Sequence, residues 1–397
     1  MMKQIELELT EMVYGGNALA KDDGRAIFVT GGLPAERVLA TITQDRGRYA
    51  FAVVDEILTP SPHRLTPRCP YFRARTCGGC QWQHIEYDQQ LLYKTNIVKA
   101  QFRRIGKFED APVLPMIASP EAWFYRTHVT YHSSSAGELG FIAPDDHTIT
   151  PIEECYIIRP ELLAMRSAIH ATAGRVRCMV GSDGSEQVVS LSDDASPLAA
   201  DNADDETIAP PSADKVTFTM HGATFRVSAG SFFQVNLAQA ARVVGLVVDQ
   251  LDLSGRELVL DLYAGVGLFT AFLAQGAKHV MAIELAPSAV SDARLNLAHL
   301  TNVDIYEGAT EVMLPRIKGK FDAAVIDPPR AGMHAKATEA LIALSPRRIA
   351  YVSCDPSTLA RDARLLVNAG YTLKHVQPID MFPHTYHIEC IAGFEKR

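Results

Sequence analysis

The chain has 397 residues, of which 47% are apolar and 21% are charged. These proportions are typical of a soluble globular protein with room for two or three domains. No apolar run reaches the length of a membrane span, and the segment Met1–Glu6 contains no apolar signal region, so we expect a cytoplasmic protein that does not bind membranes. Seven cysteines in such a chain indicate a metal site or catalysis before disulfide bonds.

The net charge of −8 is unevenly distributed along the chain. Residues 25–107 contain 13 lysine and arginine residues against 6 acidic ones, a balance of +7. This excess fits contact with nucleic-acid phosphates, but it also fits an ordinary solvated surface. Residues 181–214 contain 9 acidic residues and no basic one, together with many Ser, Ala and Pro residues. That composition predicts a mobile segment or an insertion at a hairpin tip, and we assign it no function.

Residues 1–60 alternate apolar and polar residues in short runs separated by glycine-containing turns, which predicts a small β-barrel of the OB type. The runs are Ile5–Leu9, Ala26–Val29, Arg37–Ile42 and Ala50–Val54. Small barrels often bind single-stranded nucleic acid through basic and aromatic side chains. A purely structural barrel explains the pattern as well. The candidate nucleic-acid contacts are Arg46, Arg48, Tyr49 and Phe51.

Cys69, Cys77 and Cys80 form a short loop, and the two glycines between the last two cysteines let its backbone fold tightly. Thiolates suit either a zinc ion or an iron–sulfur cluster. Cys155 is the nearest candidate for a fourth ligand. From the spacing alone zinc and cluster stay open, as do free thiols without a metal. A radical AdoMet loop is disfavoured because it needs a tighter triplet.

Two helices are predicted on either side of a strand-rich stretch. Residues 87–107 carry apolar residues at helical spacing and basic residues on the other faces, so this helix either follows RNA or presents a solvated face. Residues 123–150 are typical of strands and turns. The second helix, Leu237–Leu251, follows the polar residues Gln234 and Asn236, which lie in an aromatic stretch and resemble turn and cap residues.

The most specific local signal is a strand, turn and helix at residues 257–270. An apolar strand ends at Asp261, and the turn that follows contains Gly265, where a ligand can approach the backbone closely. The next strand ends at Glu284, 19 residues after Gly265, the spacing at which a carboxylate accepts hydrogen bonds from ribose hydroxyls. Thr270 stands where a dinucleotide pattern has its third glycine, and Asp261 suits a cationic sulfonium better than a pyrophosphate. We therefore favour S-adenosylmethionine (AdoMet) over NAD.

Two later strands also end in polar turns. The first ends at Asp327, which can accept a hydrogen bond, and the two prolines that follow stiffen the turn. The second ends in a turn with Cys354 at its tip, where open α/β sheets present reactive groups, although a structural cysteine gives the same local pattern. Glu389 adds a titratable group that can remove a proton if the sheet folds it beside Cys354.

Five motifs in this order resemble the RNA uracil-5-methyltransferase family, which makes 5-methyluridine. The resemblance covers nearly the whole chain and includes a TRAM-like N-terminal domain. Cys69, Cys77, Cys80 and Cys155 match the four ligands of a 4Fe–4S cluster in the ribosomal-RNA branch. Ala264 departs from the pattern, because many members carry cysteine there, and so does the acidic insertion. The motifs are Phe233-Gln234-Val235-Asn236, Asp261-Leu262-Tyr263-Ala264-Gly265, Asp327-Pro328-Pro329-Arg330, Ser353-Cys354-Asp355-Pro356 and Met381-Phe382-Pro383-His384-Thr385-x-His387-x-Glu389.

The resemblance implies a division of labour among these residues. Cys354 is the nucleophile that adds to C6 of uracil, and Glu389 is the base that removes the C5 proton. The addition needs an ionised Cys354 thiol, and the target uracil must leave the stacked bases of the RNA to reach it. The implied AdoMet contacts are Gln234, Tyr263, Gly265, Glu284 and Asp327.

The implied fold is α/β with three domains. Residues 1–60 form a TRAM-like barrel that binds RNA, residues 61–228 form a central α+β domain with the cluster loop and the acidic insertion, and residues 229–397 form a Rossmann-like methyltransferase domain. The helix at 87–107 would pack on the catalytic domain. We expect a monomer that methylates structured RNA, with 23S ribosomal RNA the first candidate and transfer RNA the second. A metal-binding, RNA-binding assembly factor is the alternative from another class.

Overall fold

The computed structural model describes residues 3–134, 136–145, 147–169, 174–191 and 215–396. Within these ranges the chain forms four β-sheets, and helices cover both faces of the largest one. None of the helices in the described ranges combines the length and the apolar character needed to cross a bilayer. The predicted α/β class is confirmed by the mixture of parallel strands and helices.

The N-terminal sheet has six strands in the order β1-β5-β6-β4-β3-β2. β1 pairs with β5, and β2, which follows after Leu9 and Thr10, pairs with β3. Both ends of the strand order, β1 and β2, therefore lie in one N-terminal segment. The strands are β1 (Gln4–Glu8), β2 (Glu11–Met12), β3 (Ala18–Asp22), β4 (Arg25–Thr30), β5 (Arg37–Asp45) and β6 (Tyr49–Thr59).

The central part of the chain contains an antiparallel five-stranded sheet, in the order β11-β10-β7-β8-β9, and a separate hairpin of β12 and β13. Three helices accompany these strands: α1 (Pro70–Arg73), α2 (Tyr87–Arg104) and α3 (Pro160–Ala168). The strands are β7 (His128–Ser133), β8 (Leu139–Ile142), β9 (Ile149–Pro151), β10 (Arg175–Val180), β11 (Glu186–Leu191), β12 (Lys215–Met220) and β13 (Ala223–Ser228).

The C-terminal sheet has seven strands in the order β16-β15-β14-β17-β18-β20-β19. Its first five strands are parallel, and β20 runs antiparallel between β18 and β19. The strands are β14 (Leu258–Leu262), β15 (His279–Glu284), β16 (Val303–Glu307), β17 (Ala323–Ile326), β18 (Arg348–Ser353), β19 (Tyr371–Ile379) and β20 (Glu389–Lys396). The helices are α4 (Leu237–Leu251), α5 (Leu268–Gly276), α6 (Pro287–Asn296), α7 (Thr310–Met313), α8 (Ala335–Leu344) and α9 (Pro356–Asn368), with a 3-10 turn at Leu314–Arg316.

The strands of this sheet are buried on both faces, and successive side chains enter two different cores. In β18, Ile349 and Tyr351 pack with α2, α8, α9 and the N-terminal sheet. Ala350 and Val352 pack with α4, α5, α6 and the central sheet. This alternation follows from the two-residue period of a strand. Strand order reverses direction between β14 and β17, which creates a crevice at their carboxyl ends.

Helix α2 is fastened to the C-terminal sheet by a buried ion pair. The Lys94 Nζ atom donates to Asp380 Oδ1 at 2.6 Å and to the Phe382 carbonyl at 3.1 Å. The Tyr87 hydroxyl donates to Asp380 Oδ2 at 2.8 Å. Both charged side chains are fully buried. The segment between β19 and β20 is therefore held by a helix that lies almost three hundred positions earlier in the chain.

Local sequence signals predict several elements closely. Helix α4 has the predicted bounds, and the Asn236 side chain caps it by accepting from the Gln239 backbone N–H at 3.2 Å. Helix α2 ends at Arg104, three residues before the predicted end. The first part of the acidic segment, residues 181–191, contains a turn followed by β11, which pairs with β10 in a hairpin. Residues 192–214 of that segment lie outside the described residues.

We predict that Lys94→Met strongly destabilises the protein. The variant leaves the Asp380 carboxylate buried without its cation, so the free energy of unfolding should fall by about 3–5 kcal/mol. Urea unfolding followed by circular dichroism measures this loss. Arg104→Met on the same helix is the control, because its ion pair with Glu11 is exposed and long, at 3.4 Å. It should change stability by less than about 1 kcal/mol. Equal losses in both variants would contradict the importance of the buried pair.

Candidate active site

The loops that follow β14, β15, β17 and β18 surround a cavity of about 850 Å³. The cavity lies where the strand order reverses, the place at which open α/β sheets bind ligands. Its volume is within the range of small-molecule sites. It extends to the cysteine loop of the central part of the chain. The residues predicted to be catalytic, to contact AdoMet or to ligate a metal all line it: Cys69, Cys77, Cys80, Cys155, Gln234, Tyr263, Gly265, Glu284, Asp327, Cys354 and Glu389.

The turn after β14 exposes its backbone to the cavity. Tyr263, Gly265 and Gly267 all have positive φ angles, of 65°, 55° and 86°. A side chain built on Gly265 would meet nothing within 4 Å, so the space above it is open for a ligand. The Gly265 N–H donates to Glu284 Oε2 at 2.7 Å, and the other carboxylate oxygen accepts from the Ala286 N–H at 2.7 Å. Glu284 is thus fixed at the cavity wall by two backbone donors.

Asp261 does not stand where the sequence suggested. The prediction placed it next to a cationic ligand, but it lies beneath the turn, fully buried, and is not among the cavity-lining residues. Its Oδ2 atom accepts from the Thr270 hydroxyl, while Oδ1 has no hydrogen-bond partner within the described ranges of the chain. Burial raises the pKa of Asp261 to about 7. Its role in the structure is to join the end of β14 to helix α5.

Gln234 and Asn236 separate into two roles. Gln234 lines the cavity, whereas Asn236 is a structural residue. Besides capping α4, the Asn236 Nδ2 atom donates to the Met381 carbonyl at 3.2 Å and to Ser119 Oγ at 3.1 Å. The segment that carries Gln234 is therefore tied to the loop that precedes Glu389.

Cys354 stands at the tip of a tight turn. The Ser353 hydroxyl donates to the Asp355 carbonyl at 3.0 Å and accepts from the Asp355 N–H at 3.2 Å, which closes the turn around Cys354. Asp355 then caps α9, because its Oδ1 atom accepts from the N–H groups of Ser357 and Thr358 at 2.7 and 3.0 Å. The thiol is half-buried and belongs to the cavity wall. This arrangement presents Cys354 as a nucleophile would be presented.

The pairing of β18 with β20 ends next to Cys354 and Glu389. The two strands are antiparallel, and their last pair is Ser353 with Cys390. Continuing this register by one position beyond β18 would set Cys354 opposite Glu389. Directly opposed residues in antiparallel strands have Cβ atoms about 5 Å apart and side chains on the same face. Both side chains line the cavity, and Glu389 is 4% exposed.

Several cavity residues were missed by the sequence interpretation. His128 and Thr130 on β7 and Arg177 on β10 line the wall, and so does Arg126 just before β7. The signal was present: in Arg126-Thr127-His128-Val129-Thr130 the polar residues that line the cavity recur at every second position, the period of a strand with one polar face. The wall that they form is basic, and burial lowers the pKa of His128.

Arg330 and His387 lie next to each other on the cavity wall. An Arg330 guanidinium nitrogen lies 3.4 Å from His387 Nδ1, and both residues line the cavity. Burial, followed by the charge of Arg330, lowers the pKa of His387 to about 3. His387 is therefore neutral near pH 7, and the positive charge at this point of the wall comes from Arg330.

The four cysteines of the predicted metal site line the cavity, and none of them forms a disulfide bond within the described residues. The Gly78 N–H donates to the Ile142 carbonyl at 2.9 Å, so the loop lies against β8, and Cys155 follows the next strand. Burial raises the pKa of Cys80, and the neighbouring Cys155 adds to that shift. In the described part of the chain, no group of three or more His, Cys, Asp or Glu residues is arranged to hold a metal ion.

The surroundings of these thiols nevertheless suit a negatively charged metal centre. Arg126 is buried beside Cys80 and Cys155, and its charge lowers the pKa of both thiols against the effect of burial. The Arg126 Nε atom has no hydrogen-bond partner among the residues that the structure describes. Four thiols fit an iron–sulfur cluster as ligands, and the buried cation beside them would offset its negative charge.

Comparison with known proteins identifies the family. A family model described as tRNA (Uracil-5-)-methyltransferase matches residues 213–397. An uncharacterized RNA methyltransferase of Halalkalibacterium halodurans is 33% identical, and the match covers 98% of this chain and 96% of the relative. Another, of Streptomyces avermitilis, is 34% identical over 100% of this chain and 99% of the relative. The chain belongs to this RNA (uracil-5-)-methyltransferase family. It is an AdoMet-dependent enzyme of that class, as the motif resemblance implied.

A solved structure of the same family name shares the fold along the whole chain. The tRNA (uracil-54, C5)-methyltransferase of Pyrococcus abyssi, solved with S-adenosyl-L-homocysteine, superimposes with a TM-score of 0.72. The match covers 98% of this chain and 99% of that one at 22% identity. At 22% identity this similarity establishes that the two proteins share a fold, and no shared substrate or site follows from it.

We predict that Glu284→Gln weakens AdoMet binding by about tenfold or more, because a charged acceptor becomes a neutral one. Isothermal titration calorimetry with AdoMet measures the dissociation constant. Glu307→Gln is the matched control, since Glu307 pairs with Glu284 across β15 and β16 but is exposed and does not line the cavity. Unchanged affinity in both variants would rule out Glu284 as a cofactor contact.

Proposed function

We propose that the enzyme methylates C5 of a uridine in structured RNA through a covalent adduct between Cys354 and C6. The observation that carries the proposal is that Cys354 and Glu389 line one cavity, just beyond the last pair of the β18–β20 register. Gly265 and Glu284, the residues proposed to hold AdoMet, line the same cavity. Cys354, Glu389 and the methyl group of AdoMet would then surround one uracil.

The proposed reaction balances in three steps. The Cys354 thiolate adds to C6 of uracil, and the electron pair of the C5–C6 double bond moves to give an enolate. C5 then attacks the sulfonium methyl group, so a C–C bond forms while the S–CH3 bond breaks and S-adenosylhomocysteine leaves. Glu389 removes the proton from C5, the double bond reforms, and the C6–S bond breaks to release the thiolate.

The cavity wall supports this chemistry by its charge. The target base must leave its stack to reach Cys354, and the flanking phosphates come with it. Arg126, Arg177 and Arg330 bring positive charge to the wall, where they can compensate the phosphates or the developing enolate. We propose Asp327 and Gln234 as polar contacts of the cofactor or the base, since both line the same space.

We propose that the N-terminal sheet, residues 1–60, binds RNA as a TRAM-like domain. Three aromatic rings lie side by side on it: Phe28 and Phe51 have ring centroids 5.4 Å apart, and Tyr49 lies 5.9 and 5.7 Å from them. Arg46 and Arg48 are exposed on the adjoining turn between β5 and β6. Rings for stacking beside free cations are the elements of single-strand binding.

Two RNA classes compete as the target. The four cysteines match the ribosomal-RNA branch, and this favours 23S ribosomal RNA. The Pyrococcus abyssi structure is named for a transfer-RNA enzyme and keeps transfer RNA as the second candidate. An assembly factor without activity is disfavoured, because the cavity brings Cys354 and Glu389 together.

We predict that the wild-type enzyme with AdoMet forms a covalent adduct with RNA containing 5-fluorouridine, because fluorine at C5 cannot be removed as a proton. Denaturing gels with fluorinated 23S ribosomal RNA and transfer RNA measure the adduct, and the RNA that is trapped identifies the target class. Cys354→Ala should form no adduct and still bind AdoMet. Cys178→Ala, a buried cysteine of β10 away from the cavity, is the control and should behave as wild type. Full methylation by Cys354→Ala would refute the mechanism.

We propose that Cys69, Cys77, Cys80 and Cys155 hold a 4Fe–4S cluster with a structural role. The anaerobically purified protein should then be brown and contain about four iron atoms. Elemental analysis and the visible absorption spectrum measure this. Cys155→Ala should lose most of the iron and the visible band, while Cys178→Ala should keep both. Zinc instead of iron, with no visible band, would contradict the cluster.

A further inference from the structure

A side chain from the N-terminal sheet reaches the turn that carries Cys354. The Tyr14 hydroxyl donates to Asp355 Oδ2 at 2.5 Å, and Asp355 is the residue directly after Cys354. Partial burial and the bond to Asp355 raise the pKa of Tyr14 well above its ordinary range, so the phenol stays protonated and acts as the donor. Tyr14 is close enough to Cys354 and Arg330 for their charges to influence it.

The turn that carries Tyr14 is itself held in place. The Val13 N–H donates to the Asn17 carbonyl at 2.9 Å and closes the turn. The Trp82 Nε1 atom donates to the Gly16 carbonyl at 3.1 Å. Gly16 has a φ of +88°, and a Cβ atom there would meet the Tyr386 side chain at 2.8 Å. This turn is therefore packed between the Cys354 turn and the loop that precedes Glu389.

The two oxygens of Asp355 have separate tasks. Oδ1 alone accepts the two backbone N–H groups that start helix α9. Oδ2 accepts from Tyr14. Removal of the Tyr14 hydroxyl thus leaves the helix cap intact, and its effect falls on the orientation of the carboxylate and of the Ser353–Asp355 turn around Cys354.

We propose that Tyr14 is a positioning residue for methyl transfer, because its hydroxyl fixes Asp355 and so orients the turn that presents Cys354 to C6 of uracil. The N-terminal sheet then completes the catalytic turn as well as binding RNA. This inference rests on the proposed nucleophilic role of Cys354. It concerns the rate of the addition step and not the affinity for RNA or AdoMet.

Tyr14→Phe tests the inference, because it removes one oxygen and keeps the ring. The fluorinated RNA that traps the wild-type enzyme is the probe. We expect adduct formation to slow by about tenfold and kcat on unmodified RNA to fall in parallel. The KM for RNA and the AdoMet dissociation constant should stay within about twofold of the wild-type values, because the binding surfaces are intact. The urea unfolding midpoint should not change, because the helix cap is intact.

Tyr306→Phe is the matched control. Tyr306 on β16 is 39% exposed against 37% for Tyr14, and its hydroxyl makes no hydrogen bond within the part of the chain that the structure describes. It should react as fast as wild type. Adduct formation by Tyr14→Phe at the wild-type rate would overturn the inference. A rise in the KM for RNA at unchanged kcat would also overturn it, since Tyr14 would then be an RNA contact.

A double-mutant cycle isolates the contact to Asp355. Asp355→Asn keeps an oxygen for the helix cap, since asparagine caps helices about as well as aspartate. In that background the loss of the Tyr14 hydroxyl should slow adduct formation much less than it does in the wild type. An equal slowing in both backgrounds would overturn the route through Asp355. If the wild-type enzyme itself forms no adduct while Cys354→Ala still methylates RNA, the proposed function fails and the inference fails with it.

Discussion

The geometry of the active site depends on the buried ion pair between Lys94 and Asp380. Moving a charged side chain from water into the protein interior costs several kcal/mol, unless a partner of opposite sign and further hydrogen bonds offset that cost. Here Tyr87 and the Phe382 carbonyl supply those bonds. Asp380 directly follows Ile379, the last residue of β19, and Ile379 pairs with Glu389 in β20. The ion pair therefore anchors the strand end that lies beside the proposed base.

The cavity is assembled from parts that are distant in sequence but meet at one edge of the sheet. Parallel strands bring the glycine turn, Glu284, Asp327 and the Cys354 turn to the same end. The antiparallel strand β20 adds Glu389 from the opposite direction. The central sheet closes the cavity with basic residues and the four cysteines. A disturbance of the cysteine loop therefore changes the shape of the space in which AdoMet and the base are proposed to meet.

Local chemistry explains what the sequence could predict. The bounds of α4 follow from the Asn236 cap, and the turn at Gly265 follows from a strand that ends in a glycine-containing loop. The roles of Cys354 and Glu389 were predicted from the order of five motifs along the chain, because hydrophobic periodicity alone does not indicate a catalytic residue. Asp261 was misplaced because sequence spacing does not tell which face of a turn a side chain takes. The contacts of Lys94 with Asp380 and of Tyr14 with Asp355 span 286 and 341 positions, and no local pattern indicates such pairs.

The register between β18 and β20 has a consequence for how the family can vary. Neighbouring residues of a strand point to opposite faces, so a shift of one position would turn Glu389 away from Cys354 and into the core. The alignment of β20 against β18 is thus a requirement of its own, separate from the identity of any one residue. A single residue inserted into β20 directly after Glu389 would move the proposed base out of place without altering any side chain of the active site.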